Sequence, residues 1–146
     1  MSPRQLWFFK FGCWVAFVAA FVHLAGHVAG PTPPANDTER QLVTLATTYK
    51  YALPGGSQRS LMDFMDGFSL MYPVLVTALG ALGLIVAKRG RGDSLLMYAV
   101  ARALAVSSTA LLVISLTKFF LVPTAFVMMM TVCFALASVR APQMQE

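Results

Sequence analysis

Four long apolar runs decide what this chain can fold into. They leave only short polar connections and one longer polar stretch, between residues 30 and 60. Each run approaches the ~20 residues that an α-helix needs to cross a ~30 Å hydrocarbon core. In hydrocarbon every backbone N–H and C=O must find a partner inside the protein, and a helix meets that demand within one segment. Of the 146 residues, 58% are hydrophobic and 12% are charged, which is too apolar for an ordinary soluble domain. The expected fold is all-α: a single domain over residues 1–146, built as a four-helix transmembrane bundle. The spans are expected at about 6–29, 61–87, 94–117 and 123–139.

Local signals set the boundaries. Pro31, Pro33 and Pro34 stop the first span. Its apolar region is longer than a signal peptide needs, and Lys10 interrupts the run that a lipoprotein signal before Cys13 would require, so an uncleaved first span is expected. Asn36 with Glu39 fits a capping box. Leu42, Leu45, Ala46 and Tyr49 follow at helical spacing, with Arg40, Thr44, Thr47 and Lys50 away from them. The spacing predicts a short amphipathic helix at about 37–51 in the first extracytoplasmic loop, on the membrane surface or over the bundle mouth. Pro54-Gly55-Gly56 should end it.

Ser60 with Asp63 opens the second span. Pro73 lies inside that span and removes the usual donor to the Ser69 carbonyl, so a kink is expected there. Ala78, Gly80, Ala81 and Gly83 suit close packing. Ser108 and Ser115 share a face of the third span, and Thr124, Thr131 and Ser138 are expected to mark the inner face of the fourth.

The basic residues orient the chain. With both termini cytoplasmic, that side carries Arg4, Lys10, Lys88, Arg89, Arg91 and Arg140, and the other Arg40, Lys50, Arg59 and Lys118. Topology also accounts for the net charge of +5. No basic stripe on a soluble module points to nucleic acid.

Ionisable groups inside the apolar runs are few, and their cost makes them candidates for function. His23 and His27 stack on one helix face. Gly26 and Gly30 beside them are expected to admit a close neighbour. Asp63 and Asp66 can reach the same depth from the second span, with His23 the natural partner of Asp66 and Ser69 nearby. This set suits a small-molecule or proton site. It also contains ligand types for a divalent metal, making His23, His27, Asp63 and Asp66 metal candidates as well. The bland alternative is that these groups hydrogen-bond one another and lock the first two helices. Both histidines lie on one helix, so they cannot sandwich a haem within one subunit. Arg102, about 12 Å along the third helix, either snorkels to lipid phosphate or meets a ligand or partner subunit. Consecutive Met128, Met129 and Met130 diverge by ~100° each and make no copper-type site. Cys13 and Cys133 match no C-x-x-C or zinc spacing and behave as small hydrophobes. The residues leave the cofactor unknown and firmly imply none.

The runs NDTERQLVTLATTYKY and RSLMDFMDGFSL, together with HLAGH in the first span, resemble a family of small four-helix bacterial integral membrane proteins. The resemblance implies a multi-pass protein of the bacterial inner (cytoplasmic) membrane, and it brings no activity. Membrane glutathione-transferase-like enzymes have a similar length, but their basic grip on glutathione is missing, since the second span here opens with acids. The leading expectation is a non-enzymatic membrane protein, either an accessory subunit with membrane protein partners or a binder of a small lipophilic ligand. The rival is a membrane enzyme that acts on a lipophilic substrate or quinone, with the His/Asp cluster as acid and base.

Overall fold

A computed structural model describes residues 1–90 and 93–139. Arg91, Gly92, Arg140 and the tail that follows lie outside the described residues.

The described residues form five α-helices and one small hairpin: α1 (Pro3–Ala29), α2 (Asp37–Thr48), β1 (Lys50–Ala52), β2 (Gln58–Ser60), α3 (Leu61–Arg89), α4 (Ser94–Lys118) and α5 (Leu121–Ser138). The helices α1, α3, α4 and α5 are long and apolar enough to cross a membrane.

Side-chain caps set most helix starts. Ser2 and Gln5 form a capping box for α1, with Pro3 in the first turn, where its missing N–H costs nothing. That box begins α1 before the expected residue 6. The Asn36 side chain accepts from the Glu39 N–H at 2.9 Å to start α2. Glu39 reaches back to the Ala35 N–H at 2.7 Å, occupying a second free donor. Ser60 and Asp63 form the box that opens α3, and Asp93 caps α4 through the Leu96 N–H. Pro123 falls in the first turn of α5, which begins two residues earlier than the proline alone suggested.

One expected boundary fails. The helix predicted over 37–51 ends at Thr48, and Lys50–Ala52 becomes a strand paired antiparallel with Gln58–Ser60. The pairs are Lys50 with Ser60, Tyr51 with Arg59, and Ala52 with Gln58. Gly55 (φ 88°) and Gly56 (φ 80°) close the loop in the left-handed region, which favours glycine. Two backbone bonds brace it, Leu53 N–H to Ser57 C=O and Gly56 N–H to Leu53 C=O. Pro54-Gly55-Gly56 therefore turns a hairpin rather than simply ending a helix.

The packing order differs from the chain order. α1 packs against both α3 and α5, α5 packs against α4, and consecutive α3 and α4 meet at few positions. The array thus reads α3–α1–α5–α4. α1 occupies the middle because one stripe of it is small or flat: Phe9, Cys13, Ala16 and Ala20 are all buried. Val76 and Ala87 of α3, Met97 and Ala101 of α4, and Val127, Met130, Phe134 and Ala137 of α5 complete the core. Phe9 meets Phe134 edge-on, with centroids 5.9 Å apart.

Among the described residues, Gly12, Gly80 and Gly83 make close approaches to neighbouring helices. An added Cβ would lie 2.8 Å from the Phe134 ring at Gly12, 3.0 Å from the Cys13 carbonyl oxygen at Gly80, and 2.5 Å from the Cys13 Sγ at Gly83. Gly26 and Gly30, expected to play this part, have nothing within 4 Å of such a Cβ. The reason is that α1 buries nothing beyond Ala20, so its last two turns have no tight neighbour.

The polar inner faces are partly as expected. Ser108 and Ser115 are both buried, and the Ser115 and Thr124 hydroxyls lie 2.8 Å apart, joining α4 to α5. Thr131 and Ser138 bond back to their own helix at the Val127 and Ala135 carbonyls. The buried seam of α5 instead follows Val127, Met130, Phe134 and Ala137. Of the three methionines, Met130 is buried and Met128 and Met129 are exposed.

Candidate functional site

The site begins with a broken backbone bond. In a regular helix the N–H of residue 73 donates to the carbonyl of residue 69. Pro73 has no N–H, so the Ser69 carbonyl is left without its helical donor. His23 of α1 supplies the replacement: its Nε2 lies 3.0 Å from the Ser69 carbonyl oxygen and 3.0 Å from Ser69 Oγ. A carbonyl oxygen only accepts, so Nε2 carries the hydrogen. In the neutral ring Nδ1 is then the bare nitrogen. The Tyr72 ring packs against the imidazole, with centroids 4.8 Å apart. Ser69 and Pro73 are a helical turn apart and face α1 together, which lets one histidine satisfy the carbonyl that the proline exposes.

Outward of this clamp the packing between the two helices is open. α1 buries no residue beyond Ala20, and α3 buries none between Leu61 and Tyr72. A Cβ added at Gly26 or at Gly67 would meet nothing within 4 Å. The four-residue constellation of His23, His27, Asp63 and Asp66 therefore divides. His23 bonds Ser69, not Asp66. Asp63 accepts from the Ser60 N–H at 2.7 Å and from Lys50 Nζ at 3.1 Å, which ties the hairpin to the first turn of α3. Asp66 is exposed and His27 half-buried, and neither side chain has a hydrogen bond or ion pair among the described residues. Nor, among the described residues, do three His, Cys, Asp or Glu side chains gather as metal ligands.

Arg102 is exposed on α4, away from the buried stripe of Met97, Ala101, Ser108 and Ser115. It makes no hydrogen bond or ion pair among the described residues.

A second concavity was missed in the sequence. Leu42, Leu45, Ala46 and Tyr49 of the α2 face, Tyr51 of the hairpin and Leu61 of α3 line an apolar pocket of about 310 Å³. The α2 face was legible from its spacing. The contributions of Tyr51 and Leu61 follow from the hairpin, which three-residue strands do not announce.

No protein-family model, no curated protein and no solved structure matches the chain.

Proposed function

We propose that this chain is a small integral membrane protein of a bacterial inner membrane. Its four long helices cross the bilayer as one bundle with both termini cytoplasmic, and it serves without catalysis as an accessory subunit of a membrane complex. α2 and the hairpin then lie on the extracytoplasmic side. The observation that carries the subunit reading is Arg102. It stands exposed and unpaired among the described residues, eight residues into an apolar helix, at a depth of about 12 Å. An arginine near mid-membrane costs roughly 2.5–3.5 kcal/mol on insertion scales. A carboxylate or carbonyl on a neighbouring subunit removes that cost. Against catalysis, the proton-bearing nitrogen of His23 is committed to a carbonyl, and Asp63 is committed to Lys50 and the Ser60 cap.

Two measurements test this. A reporter fused after Gln58 will report the extracytoplasmic side, and a cytoplasmic signal there inverts the topology. The tagged chain, extracted from native membranes in mild detergent, will run as part of an assembly well above its own 15.8 kDa. Arg102→Leu will release it. A lone chain that carries a quinone or lipid beside His23 would favour the ligand-binding or enzymatic reading instead.

A further inference from the structure

We propose that the pocket beneath α2 holds an acyl chain of an anionic membrane phospholipid, with the lipid phosphate on Arg59. The lining is apolar apart from the two tyrosines, and about 310 Å³ lies at the small end of ligand sites, suited to one chain rather than two. Leu42 and Leu45 face this space yet stay 64% and 61% exposed, so the protein itself does not fill it. Tyr49 and Tyr51 pack edge-on at one wall, with centroids 5.0 Å apart. Paired aromatics of this kind suit the headgroup level of a bilayer.

Charge picks the headgroup. Cross-strand partners project from the same face of a hairpin, and Arg59 stands opposite the lining residue Tyr51, which places Arg59 on the pocket side of the hairpin. Its hydrogen bond is to the neighbouring Gln58 carbonyl at 3.1 Å, and no carboxylate pairs with it among the described residues. Of the cations on α2 and the hairpin, Arg40 is paired with Asp37 and Lys50 with Asp63, which leaves Arg59 without a carboxylate partner among the described residues.

Position picks a membrane lipid over a free amphiphile. Leu61 lines the pocket and is also the first residue of α3. Met65 and Phe68 follow it at four and seven residues, on the same helix face, and are 57% and 69% exposed. A chain leaving the pocket therefore continues along the apolar wall of a membrane-length helix. The inference needs α3 to enter the bilayer. It needs no partner subunit, so it stands or falls apart from the assembly reading.

Native mass spectrometry of the full chain released from detergent tests it, with dioleoyl phosphatidylglycerol and dioleoyl phosphatidylcholine as probes. One phosphatidylglycerol will be retained with about fivefold preference over phosphatidylcholine, the effect of one arginine at a lipid surface. Arg59→Gln will erase the preference. Ala46→Trp, which fills the pocket, will remove the retained lipid while circular dichroism shows unchanged helix content, and Leu45→Gln will weaken retention. A phosphatidylglycerol with a photoactivatable acyl chain will crosslink within residues 42–68. Crosslinks spread evenly over the spans, or retention untouched by Ala46→Trp, would overturn the site. Equal retention of the two lipids would overturn the phosphate assignment, and preferential capture of oleate would overturn the choice of phospholipid.

Discussion

Gly83→Ala will destabilise the protein, and Cys13→Ala in the same chain will restore it. A Cβ at position 83 would sit 2.5 Å from the Cys13 Sγ, well inside van der Waals contact. Cys13 is completely buried in the α1 stripe, against Gly80 and Gly83 of α3, so its sulfur has little room to retreat. Overpacking of this kind costs about 1–3 kcal/mol. The gain in helix propensity from Gly to Ala is at most about 1 kcal/mol, so destabilisation wins. In the double variant the new methyl enters space that the sulfur leaves, which conserves volume, and such swaps are tolerated best. The coupling between the two positions should exceed about 1 kcal/mol, read by unfolding in detergent mixtures of increasing denaturing strength. If Gly83→Ala unfolds no more easily than wild type, α1 and α3 do not cross at Cys13.

That crossing shows what the sequence makes legible. Gly80 and Gly83 lie four and seven residues after Val76, and seven and four residues before Ala87, in a repeating seam, and α3 buries Pro73, Val76, Gly80, Gly83 and Ala87 in that order. The repeat is local, so it can be read along the chain. What it faces cannot. Cys13 of α1 reads as a small hydrophobe, and only the array order α3–α1–α5–α4 brings it to α3 and its neighbour Gly12 to α5. Gly26 and Gly30 have the spacing of a contact motif but no neighbour, because spacing states what a helix permits and not what meets it. The hairpin failed to register for a different reason. Three-residue strands give no alternating run long enough to compete with the helical pattern of Leu42, Leu45 and Tyr49.

The polar site was legible in pieces. Pro73 pointed to the Ser69 carbonyl, and the cost of a histidine in an apolar run pointed to His23. The two were not joined, because charge complementarity offered Asp66 as the more obvious partner. An unsatisfied carbonyl at depth is the more demanding neighbour. Asp66 lies exposed near the start of α3, whereas the Ser69 carbonyl lies a further turn inward, has lost its helical donor to Pro73, and takes one from another helix.

The same reasoning fixes the second large effect. His23→Leu will cost about 1–2 kcal/mol of stability in the wild-type background, and clearly less when Pro73 is replaced by alanine. Interhelical hydrogen bonds in membrane proteins average only ~0.6 kcal/mol, with a maximum near 1.7, because the groups usually find other partners. Here the alternative partner is missing by construction: Pro73 has no N–H to return to the Ser69 carbonyl. Loss of the imidazole therefore leaves a half-buried acceptor without its donor, which places the effect toward the upper end. Alanine at position 73 restores the helical donor, and the carbonyl then no longer needs His23. His23→Gln, whose amide can still donate, will retain part of the stability that His23→Leu loses. The four chains of this cycle, compared by unfolding in mixed detergent, give the coupling directly. An equal cost for His23→Leu in both backgrounds would mean that the histidine does something other than cap the carbonyl, and the packing of its ring on Tyr72, centroids 4.8 Å apart, would then account for the loss.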